Sequence, residues 1–592
     1  MRSTMSLIVF VLAHPAVGLA ADWVPDSVHF PADAGFADVK AFGAKGDGVT
    51  DDTAALQAAF AGKVHALYFP PGVYLVSDSI VTSTSKRYFI QGAGPAKSVI
   101  RLKDSAAGFG DPANPKAVLA NEKTRINTGA NGQAFRNSYH DLAIEVGAGN
   151  PGAIGLMYFN NNQGTIHNVT IRSLNPEKRG KAGLALIQNW PGPALVRYLK
   201  IEGFDYGIWS TIGQYSFVFE HLHLREQRVA GIHNAKQKLA IRGFKSENRV
   251  PAIQDASGFT VLIDAEFTGG AAEAAVVSQG QLFVRNLRTQ GYPQAIESTA
   301  AKVAGPAVEE FASGEVATLF DGPKKSLNLP VEEAPAFTSS NPEDWANVTK
   351  FGAVPGGGDA TAAVQKAIDS GKPIVYFPHG SYGIEGTVHV RGAVRRIDCL
   401  ESQIDSGGGA GPLWRIADGD SPFVIIERYE GTYQSKRLSF EHASQRTLVL
   451  RTMIPRGEFY ANTVKGGKLF LDDVCAGTMK FDGQTVFARQ ANPENQGTKV
   501  QNDGGTFWCL GLKTEKAGTI LATTGGGRTE VLGGYFYYNR GKPGGAAPLV
   551  NVDSSVSVIA TLTGAGGTLI QETRADVVKT LGKWPHLYVG QK

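Results

Sequence analysis

The sequence has little of what marks a disulfide scaffold, a nucleic-acid-binding protein or a membrane protein. Its 592 residues include only three cysteines, an odd and sparse set without the paired spacings of a zinc site. The formal charge is +4, and no run of lysine or arginine offers a surface for nucleic acid. No segment beyond the N-terminus is apolar enough to predict a membrane span. Stability is therefore expected to come from packing.

Glycine, in contrast, is abundant. There are 72 glycines, while charged residues make up 19% of the chain, below the usual share of about 25%. This composition is typical of many turns and buried strands. Because single cores stop growing near roughly 250–300 residues, a chain of this length is expected to form at least two domains.

The N-terminus has the pattern of a cleaved signal peptide. Residues 1–20 place Arg2 before a short apolar stretch and end in the small-residue sequence GLA. A membrane anchor is the alternative, but His14 and Pro15 interrupt a stretch that is already shorter than the roughly 20 residues needed to span a bilayer. We therefore predict a secreted or periplasmic protein.

One segment of the chain occurs twice. Its copies share the order strand, turn, short helix, strand. The matching parts are ADVKAFGA at 37–44 with ANVTKFGA at 346–353, TAALQ at 53–57 with TAAVQ at 361–365, and YFP at 68–70 with YFP at 376–378. A short amphipathic helix before many strands can cover the open apolar end of a strand stack. Each copy is therefore expected to open a domain.

Between the copies, short apolar strand patterns recur about once per coil of a parallel β-helix. Examples are Leu142–Ile144, Val169–Ile171 and Leu199–Ile201. A β-sandwich is the alternative, but the tight hairpin turns that it requires are scarce. The sequence predicts an all-β fold with domains at residues 35–325 and 346–590. The stretch 326–345, rich in Pro, Glu and Ser, is predicted to be a linker.

The first copy, ADVKAFGAKGDGVTDDTAALQAAF followed by YFPPGVY, resembles the opening of the pectate-lyase-like domain of β-helix polysaccharide enzymes. Two such openings in one chain resemble glycoside hydrolase family 55, the exo-β-1,3-glucanases. The resemblance implies two tandem right-handed parallel β-helices, each with a short N-terminal capping helix. It also implies an active site between them.

The same resemblance bears on the catalytic residues. Gly511-Leu512-Lys513-Thr514-Glu515 matches the family's first glutamate at Glu515, and a Gly-Arg-Thr segment follows at 527–529. The place of the family's general acid falls on Tyr535 or Tyr537, depending on the alignment. The chain therefore departs from the family pattern at the acid, and its activity cannot be carried over directly.

Candidate catalytic carboxylates follow from the coil period. Glycoside hydrolysis usually uses two carboxyl groups, and outward side chains on neighbouring coils suit the short separation of a retaining pair. Stepping back one coil from Glu515 reaches the neighbourhood of Glu494, and Asp473 ends a strand one coil earlier. We predict Glu515 and Glu494 as the pair, with Asp473 in reserve. A solvated turn residue, or a salt bridge to Arg489 or Lys513, is the alternative for each acid.

The predicted substrate-binding residues belong to the same stacked strands. They are three aromatic residues suited to the face of a sugar ring and three polar residues: Trp508, Tyr535, Tyr537, Arg489, Gln490 and Lys513. His221 and His223 sit at alternate strand positions, but two histidines without a third ligand are expected to be surface residues. No metal and no cofactor is expected.

Three hypotheses about function follow. The first is a polysaccharide-degrading glycoside hydrolase acting on a β-glucan or related glycan, with the polysaccharide as its partner and a monomer as its state. The second is a polysaccharide lyase, in which Lys513, Arg489 or Tyr537 removes the proton next to a uronate carboxylate. The third is a non-catalytic glycan-binding or surface protein, because fold alone does not choose a function.

Overall fold

A computed structural model describes residues 30–61, 65–82, 87–121, 135–189, 191–432, 435–539 and 545–592. The predicted signal peptide, residues 1–20, lies outside these residues. Nearly all regular structure in the described part of the chain is β-strand, with α-helices at Thr53–Ala61 and Thr361–Ile368. Short 3₁₀ helices cover Val39–Phe42, Pro342–Asp344 and Val348–Phe351. No described helix is long and apolar enough to span a membrane.

The first half of the chain forms a stack of coils, here called the first stack, with two described sheets. The strands of its larger sheet are Ala37–Asp38, Asp47–Asp51, Ala66–Phe69, Gly72–Val76, Phe89–Gly92, Ser98–Leu102, Ser138–Val146, Thr165–Ser173, Ala194–Glu202, Ser216–Arg225, Lys238–Asn248, Phe259–Gly269, Gln281–Thr289 and Ala307–Ala312. Those of the smaller sheet are Ile80–Val81, Lys116–Ala120, Ala153–Met157, Ala182–Leu186, Tyr206–Ser210, Ala230–Asn234, Ile253–Asp255, Val276–Ser278, Ile296–Ser298 and Lys302–Val303.

The second half forms a second stack in the same way. Its largest described sheet contains Val316–Ala317, Trp345–Asn347, Ile374–Tyr376, Ser381–Gly383, Arg396–Asp405, Phe423–Gly431, Thr447–Ile454, Leu469–Ala476, Thr485–Pro493, Thr506–Glu515, Arg528–Tyr537, Ser555–Thr563 and Leu587–Gly590. The other two sheets contain Val388–Gly392, Trp414–Gly419, Leu438–His442 and Glu458–Asn462, and Met479–Asp482, Val500–Asp503, Leu521–Thr524, Leu549–Val552, Ile570–Arg574 and Val577–Leu581.

Successive coils stack in register and mostly in parallel. In the first stack Phe217 pairs with Leu239, and Leu239 pairs with Thr260 on the next coil. Antiparallel pairing occurs where a stack ends, as between Gln281–Thr289 and Ala307–Ala312. The expected all-β fold of stacked parallel coils is therefore confirmed.

Each α-helix covers one end of a stack, as the repeated segment predicts. Asp51 accepts a hydrogen bond from the Thr53 amide at 3.0 Å, and Asp359 accepts one from the Thr361 amide at 2.9 Å. The next residue, Asp52, accepts hydrogen bonds from the amides of Lys45 and Gly46 in the preceding turn. The inner face of the first helix buries Leu56, Ala59 and Phe60.

Most long strands of both stacks contain one bend residue with a left-handed backbone. In the first stack these residues are Asp141, Asn168, Tyr198, His221, Gly243, Asp264 and Asn286, and in the second they are Glu401, Arg428, Thr452, Asp473, Gln490, Gly511 and Gly533. Residues just before the bend face the other stack. Bend residues of neighbouring coils lie beside one another, so the surface between the stacks is continuous.

An apolar cluster joins the two stacks. It combines Leu195, Val218 and Val261 of the first stack with Phe470, Trp508 and Leu532 of the second, among others. Leu327, Leu329 and Phe337, from the segment that connects the stacks, pack against the same cluster. The connecting segment therefore runs along one edge of the contact, here called the linker edge. The opposite edge contains the candidate active site.

Candidate active site

The site lies where three neighbouring strands of the second stack end. Lys513 pairs with Tyr535 and Glu515 pairs with Tyr537 across adjacent coils. Glu494 directly follows the strand Thr485–Pro493, which pairs with Thr506–Glu515 on its other side. Parallel register thus brings together residues that are about one coil apart in sequence.

A buried lysine links the two candidate carboxyl groups. The Lys513 Nζ donates to Glu494 Oε1 at 2.6 Å and to Glu515 Oε1 at 2.8 Å. These two oxygens can therefore be no further apart than the sum of those distances, 5.4 Å. The Lys513 side chain is 0% exposed, whereas those of Glu494 and Glu515 are 18% and 17% exposed. The carboxyl groups consequently face the solvent from above the ammonium group.

Amide side chains fix both carboxyl groups. Asn492 Nδ2 donates to Glu494 Oε1 at 3.2 Å and also to the Asn162 carbonyl of the first stack at 3.1 Å. Asn539 Nδ2 donates to Glu515 Oε2. These bonds orient the carboxyl groups, so the pair is set before any substrate arrives.

Three tyrosines form one wall of the site. Tyr535 and Tyr537 stack with ring centroids 5.1 Å apart, and Tyr215 of the first stack lies 6.0 Å from Tyr537. The Lys513 Nζ is 5.3 Å from the centre of the Tyr215 ring, and the Lys238 Nζ is 4.7 Å from that of Tyr535. The half-buried rings offer an apolar surface beside the carboxyl pair, and both stacks contribute to it.

Burial and neighbouring charges determine the protonation states of Glu515, Lys513 and Tyr537. Burial alone would raise the pKa of Glu515, but the Lys513 ammonium and hydrogen bonds from Glu494, Lys513 and Tyr537 lower it to about 2. Burial opposes the charge of Lys513, yet the two glutamates outweigh it and raise the Lys513 pKa. Burial, with the neighbouring Tyr215 and Glu515, raises the pKa of Tyr537. Glu515 is therefore ionised, Lys513 is charged and Tyr537 keeps its proton.

Four of the predicted substrate-binding residues lie inside the protein: Lys513, described above, and three residues that face the first stack. Trp508 and Arg489 are 0% exposed and Gln490 is 1% exposed. Arg489 donates to Glu220 of the first stack at 2.7 Å, and its guanidinium lies 5.4 Å from the Trp508 ring centre. As the strand alternation predicts, these side chains point away from the core of the second stack. The surface that they face is the first stack and not solvent. This burial leaves them no surface on which to contact a substrate.

Asp473, the reserve catalytic acid, is also buried. Its Oδ2 accepts a hydrogen bond from the Gly164 amide of the first stack at 3.0 Å, and burial raises its pKa well above the usual range. The adjacent Asp472 pairs with Arg197 at 3.2 Å. Both acids therefore lie in the contact between the stacks, where Asp473 cannot serve as the reserve acid without a change in this contact.

Tyr215, Asn492 and Asn539 were not identified from the sequence. Tyr215 comes from the first stack, about 300 residues before the rest of the site, and no periodicity within one stack points to it. Asn492 lies two residues before Glu494 and could have been found from its place on the same strand. Nothing in the sequence marks Asn539.

The two histidines on one strand do not share a face. His221 is a bend residue that stacks on Tyr198 with centroids 4.6 Å apart, and its Nε2 is 3.3 Å from Glu333. His223 pairs instead with Glu247 at 3.3 Å. Glu220, His221 and Glu333 present ligand atoms within 4.8 Å of one another. Arg242 pairs with both of these carboxylates, at 2.8 and 2.7 Å, so their charge is already compensated.

Parts of the chain are similar in sequence to pectate-lyase-like proteins. A family model described as rhamnogalacturonase A/epimerase, pectate lyase-like, matches residues 36–254 and 345–395, less than half of the chain. The two matched segments begin close to the two capping units. The match therefore reflects the internal repeat found in the sequence.

Among characterised proteins, a glucan 1,3-beta-glucosidase of Cochliobolus carbonum is 34% identical over 126 residues, which is 21% of this chain and 14% of the relative. Mannuronan C5-epimerase AlgE5 of Azotobacter vinelandii is 46% identical over 76 residues, 11% of this chain and 8% of the relative. The matches thus span only a small part of either protein.

Among solved structures, the Agl-KA catalytic domain matches at 11% identity with a TM-score of 0.27, covering 85% of this chain and 67% of that one. The AlgE4 A-module of Azotobacter vinelandii matches at 11% identity with a TM-score of 0.21, covering 91% and 98%.

Proposed function

We propose that this chain is a glycoside hydrolase that cleaves a β-glucan or a related polysaccharide at the edge between its two stacks. The observation that carries the proposal is the Glu494–Glu515 pair, whose Lys513-bound oxygens lie no more than 5.4 Å apart. This upper limit lies below the roughly 6.5–9.5 Å that separates the carboxyl groups of inverting enzymes, so the pair favours a retaining reaction. The partial similarity to a glucan 1,3-beta-glucosidase supports the same class of reaction.

The environment of each carboxyl group suggests its role. Glu515, held ionised by Lys513, is suited to attack the anomeric carbon and form a covalent glycosyl intermediate. Glu494, which hydrogen-bonds Glu515 in the pair, is the remaining proton donor for the leaving oxygen. After the leaving group departs, Glu494 would accept a proton from the water that releases the sugar. Tyr535, Tyr537 and Tyr215 would hold the apolar face of a pyranose ring.

The proposal includes export from the cytoplasm, for which the support is the signal-like sequence of residues 1–20. A polysaccharide substrate is outside most cells, so location and substrate agree. The N-terminal sequence of protein recovered from the culture medium or periplasm tests this part. Mature protein beginning near residue 21 is expected, and intact Met1 in the recovered protein would contradict it.

The experiment is incubation of the purified protein with a polysaccharide panel, followed by assays for new reducing ends and for unsaturated uronates. New reducing ends alone are expected. Glu515→Gln and Glu494→Gln should each lower the rate by about 100-fold or more while the protein still folds. Glu458→Gln, which changes an exposed glutamate of the second stack, is the matched control and should leave the rate unchanged.

Tyr537→Phe should mainly weaken substrate affinity, because an unperturbed tyrosine pKa near 10 already makes a poor proton donor. If Tyr537→Phe alone abolishes turnover while both glutamine variants stay active, the carboxyl pair is not the catalyst. Retention of the β-configuration in the first product, read by proton NMR, is expected from the short separation. Inversion would contradict the assigned roles.

A second candidate is β-elimination or C5 epimerisation of a uronate-containing glycan. The local similarity to mannuronan C5-epimerase AlgE5 favours it. Both reactions require neutralisation of the uronate carboxylate, yet the Lys513 ammonium is already bound by Glu494 and Glu515. Unsaturated products, or a change of uronate configuration without cleavage, would place this candidate first.

A further inference from the structure

A row of ion pairs holds the two stacks together at the linker edge. Glu220 follows Arg197 on the next coil of the first stack, and Arg489 follows Asp472 on the next coil of the second. Arg197 contacts Asp472 at 3.2 Å, and Glu220 contacts Arg489 at 2.7 Å. Each coil at this level therefore closes the gap between the stacks with an oppositely charged pair.

On the two preceding coils this row contains no ion pair between His140 or His167 of the first stack and the residues opposite. There the first stack presents His167 and then His140, in register with Arg197. Opposite them the second stack presents Arg451 and Glu427, in register with Asp472. In place of a closing ion pair, a cavity of about 280 Å³ separates the stacks. Phe337 and neighbouring residues of the connecting segment line its outer side.

One wall of the cavity is a ladder of rings. The centroids of His140 and His167 are 5.6 Å apart, and those of His167 and Tyr198 are 5.3 Å apart. Burial, together with the charge of Arg428, lowers the pKa of His140 to about 3. The two imidazoles are therefore uncharged near neutral pH and offer flat, polarisable faces with ring nitrogens at their edges.

The opposite wall supplies hydrogen-bond donors and acceptors. Arg451 contacts Asp472 at 3.3 Å and Glu427 at 3.4 Å, and it is the more exposed of the cavity's arginines, with 27% of its side chain accessible. Both are direct hydrogen-bond distances, so a ligand hydroxyl would bind beside this group, where the exposed part of the Arg451 guanidinium can donate to it. Such pairs bind vicinal hydroxyls through a donor and an acceptor at once.

The charges that line the cavity balance. The four arginines are Arg197, Arg396, Arg428 and Arg451, and the four acids are Asp141, Glu333, Glu427 and Asp472. An anionic or cationic ligand would meet a charge of its own sign as often as the opposite one. A neutral ligand that carries many hydroxyl groups and one apolar face suits both walls.

We propose that this cavity is a second carbohydrate-binding site, which takes a single neutral pyranose between the histidine ladder and the Arg451–Glu427–Asp472 group. It is separate from the candidate active site. Thr165 and Asp472 line the cavity, while their neighbours Gly164 and Asp473 hydrogen-bond each other toward the opposite edge. The proposal stands independently of the hydrolase reaction, because it concerns binding only.

The test is a titration of the full mature chain, carrying Glu515→Gln to suppress turnover, with D-glucose, D-galactose and D-mannose. Ligand-observed NMR and calorimetry report binding, and sodium D-glucuronate is the anionic comparison. Tyr537→Ala removes the tyrosine wall of the candidate active site. At least one neutral sugar should still bind to the Glu515→Gln/Tyr537→Ala protein, with glucuronate clearly weaker.

Two changes act on the cavity itself. His167→Ala removes one rung of the ring ladder, and Ala334→Trp adds bulk to a residue that lines the cavity from the connecting segment. Each should weaken this binding by about tenfold or more. His223→Ala is the matched control, because His223 pairs with Glu247 and is not among the residues that line the cavity. Thermal melts of all variants exclude loss of folding.

The possible outcomes are distinct. Binding that survives Tyr537→Ala and falls with both cavity variants supports the proposal. Binding that survives both cavity variants, or that disappears with Tyr537→Ala, overturns it. Preference for glucuronate overturns the assignment to a neutral sugar. None of these results depends on whether Glu494 and Glu515 catalyse hydrolysis.

Discussion

At the scale of single residues, Lys513 decides the state of the candidate site. A lysine with no exposed side chain would ordinarily lose its proton, because burial disfavours the charged form. Here Glu494 and Glu515 together hold the charge in place, and the lysine in turn lowers the pKa of Glu515 to about 2. The three groups form one electrostatic unit, so removing the lysine should reverse the sign of the pH dependence.

Lys513→Met provides the prediction at this scale. In the parent, the lowered pKa of Glu515 contributes stability that is present above about pH 4.5 and is lost as the pH falls toward 2. Lys513 is the strongest of the influences that oppose burial, so without its ammonium group burial should raise the Glu515 pKa above its unfolded value. The variant should then become less stable as the pH rises from about 4 to 7. Urea unfolding across this pH range measures the change.

Lys516→Met is the control for this prediction, because Lys516 Nζ contacts the backbone carbonyl of Glu494 at 3.2 Å and neither carboxyl group. Its pH dependence should follow that of the parent. A Lys513→Met protein whose stability still falls only toward low pH would show that Lys513 does not set the charge of Glu515.

Single residues also show what the sequence could and could not predict about the site. The proximity of Glu494 and Glu515 could be predicted because stacked coils keep register, which the spacing of apolar residues reveals. The same alternation correctly predicts that Trp508 and Arg489 point away from the core of the second stack. It carries no information about what covers that surface, and both residues are buried by the first stack. Tyr215 was missed for the same reason, since it reaches the site from the other stack.

At the scale of elements, the bend residues determine how closely the stacks approach. Gly511 and Gly533 occupy two successive bends, with φ of 73° and 83°. A Cβ at Gly511 would lie 2.1 Å from Val218 Cγ2, and one at Gly533 would lie 2.5 Å from Ala240 Cβ. Glycine is therefore required at these bends both for the backbone conformation and for the contact with the first stack.

The prediction for the elements separates these two requirements. Gly526→Ala meets a left-handed φ of 76° with no atom within 4 Å of the new Cβ, so it should cost only about 1–2 kcal/mol. Gly533→Ala adds a clash with the other stack and should cost a further 1–3 kcal/mol or so. Ala240→Gly in the Gly533→Ala background should recover that second part. Urea unfolding midpoints compare the three proteins.

Equal midpoints for Gly526→Ala and Gly533→Ala would mean that the stacks do not touch at Gly533.

The capping helices and coil stacking could be predicted because repeats and alternation are local. The bends could not, since among their occupants are Asp, Arg, Thr, Gln, Tyr and His as well as glycine and asparagine, and only pairing across coils holds these residues in a left-handed backbone.

At the scale of the whole molecule, Glu530 connects three parts of the chain. It lies fully buried, and its oxygens accept hydrogen bonds from Arg285 of the first stack at 2.9 and 3.2 Å. The amides of Asn328 and Leu329, in the connecting segment, donate to it at 2.9 and 3.2 Å. One carboxylate thereby fixes both the contact between the stacks and the segment beside it.

Loss of the Glu530 charge should loosen this edge. Glu530→Gln leaves the buried Arg285 guanidinium without a counter-charge, which typically costs about 3–5 kcal/mol. Because the bonds to residues 328 and 329 weaken at the same time, thermolysin should cut the connecting segment faster than in the parent. The double variant Glu530→Gln/Arg285→Met should recover part of the resistance, since it removes the stranded charge as well. Glu315→Gln, which changes an exposed pair with Lys583 at 2.9 Å, should have almost no effect. Cleavage of Glu530→Gln at the same rate as Glu315→Gln would mean that the apolar cluster alone holds the stacks together.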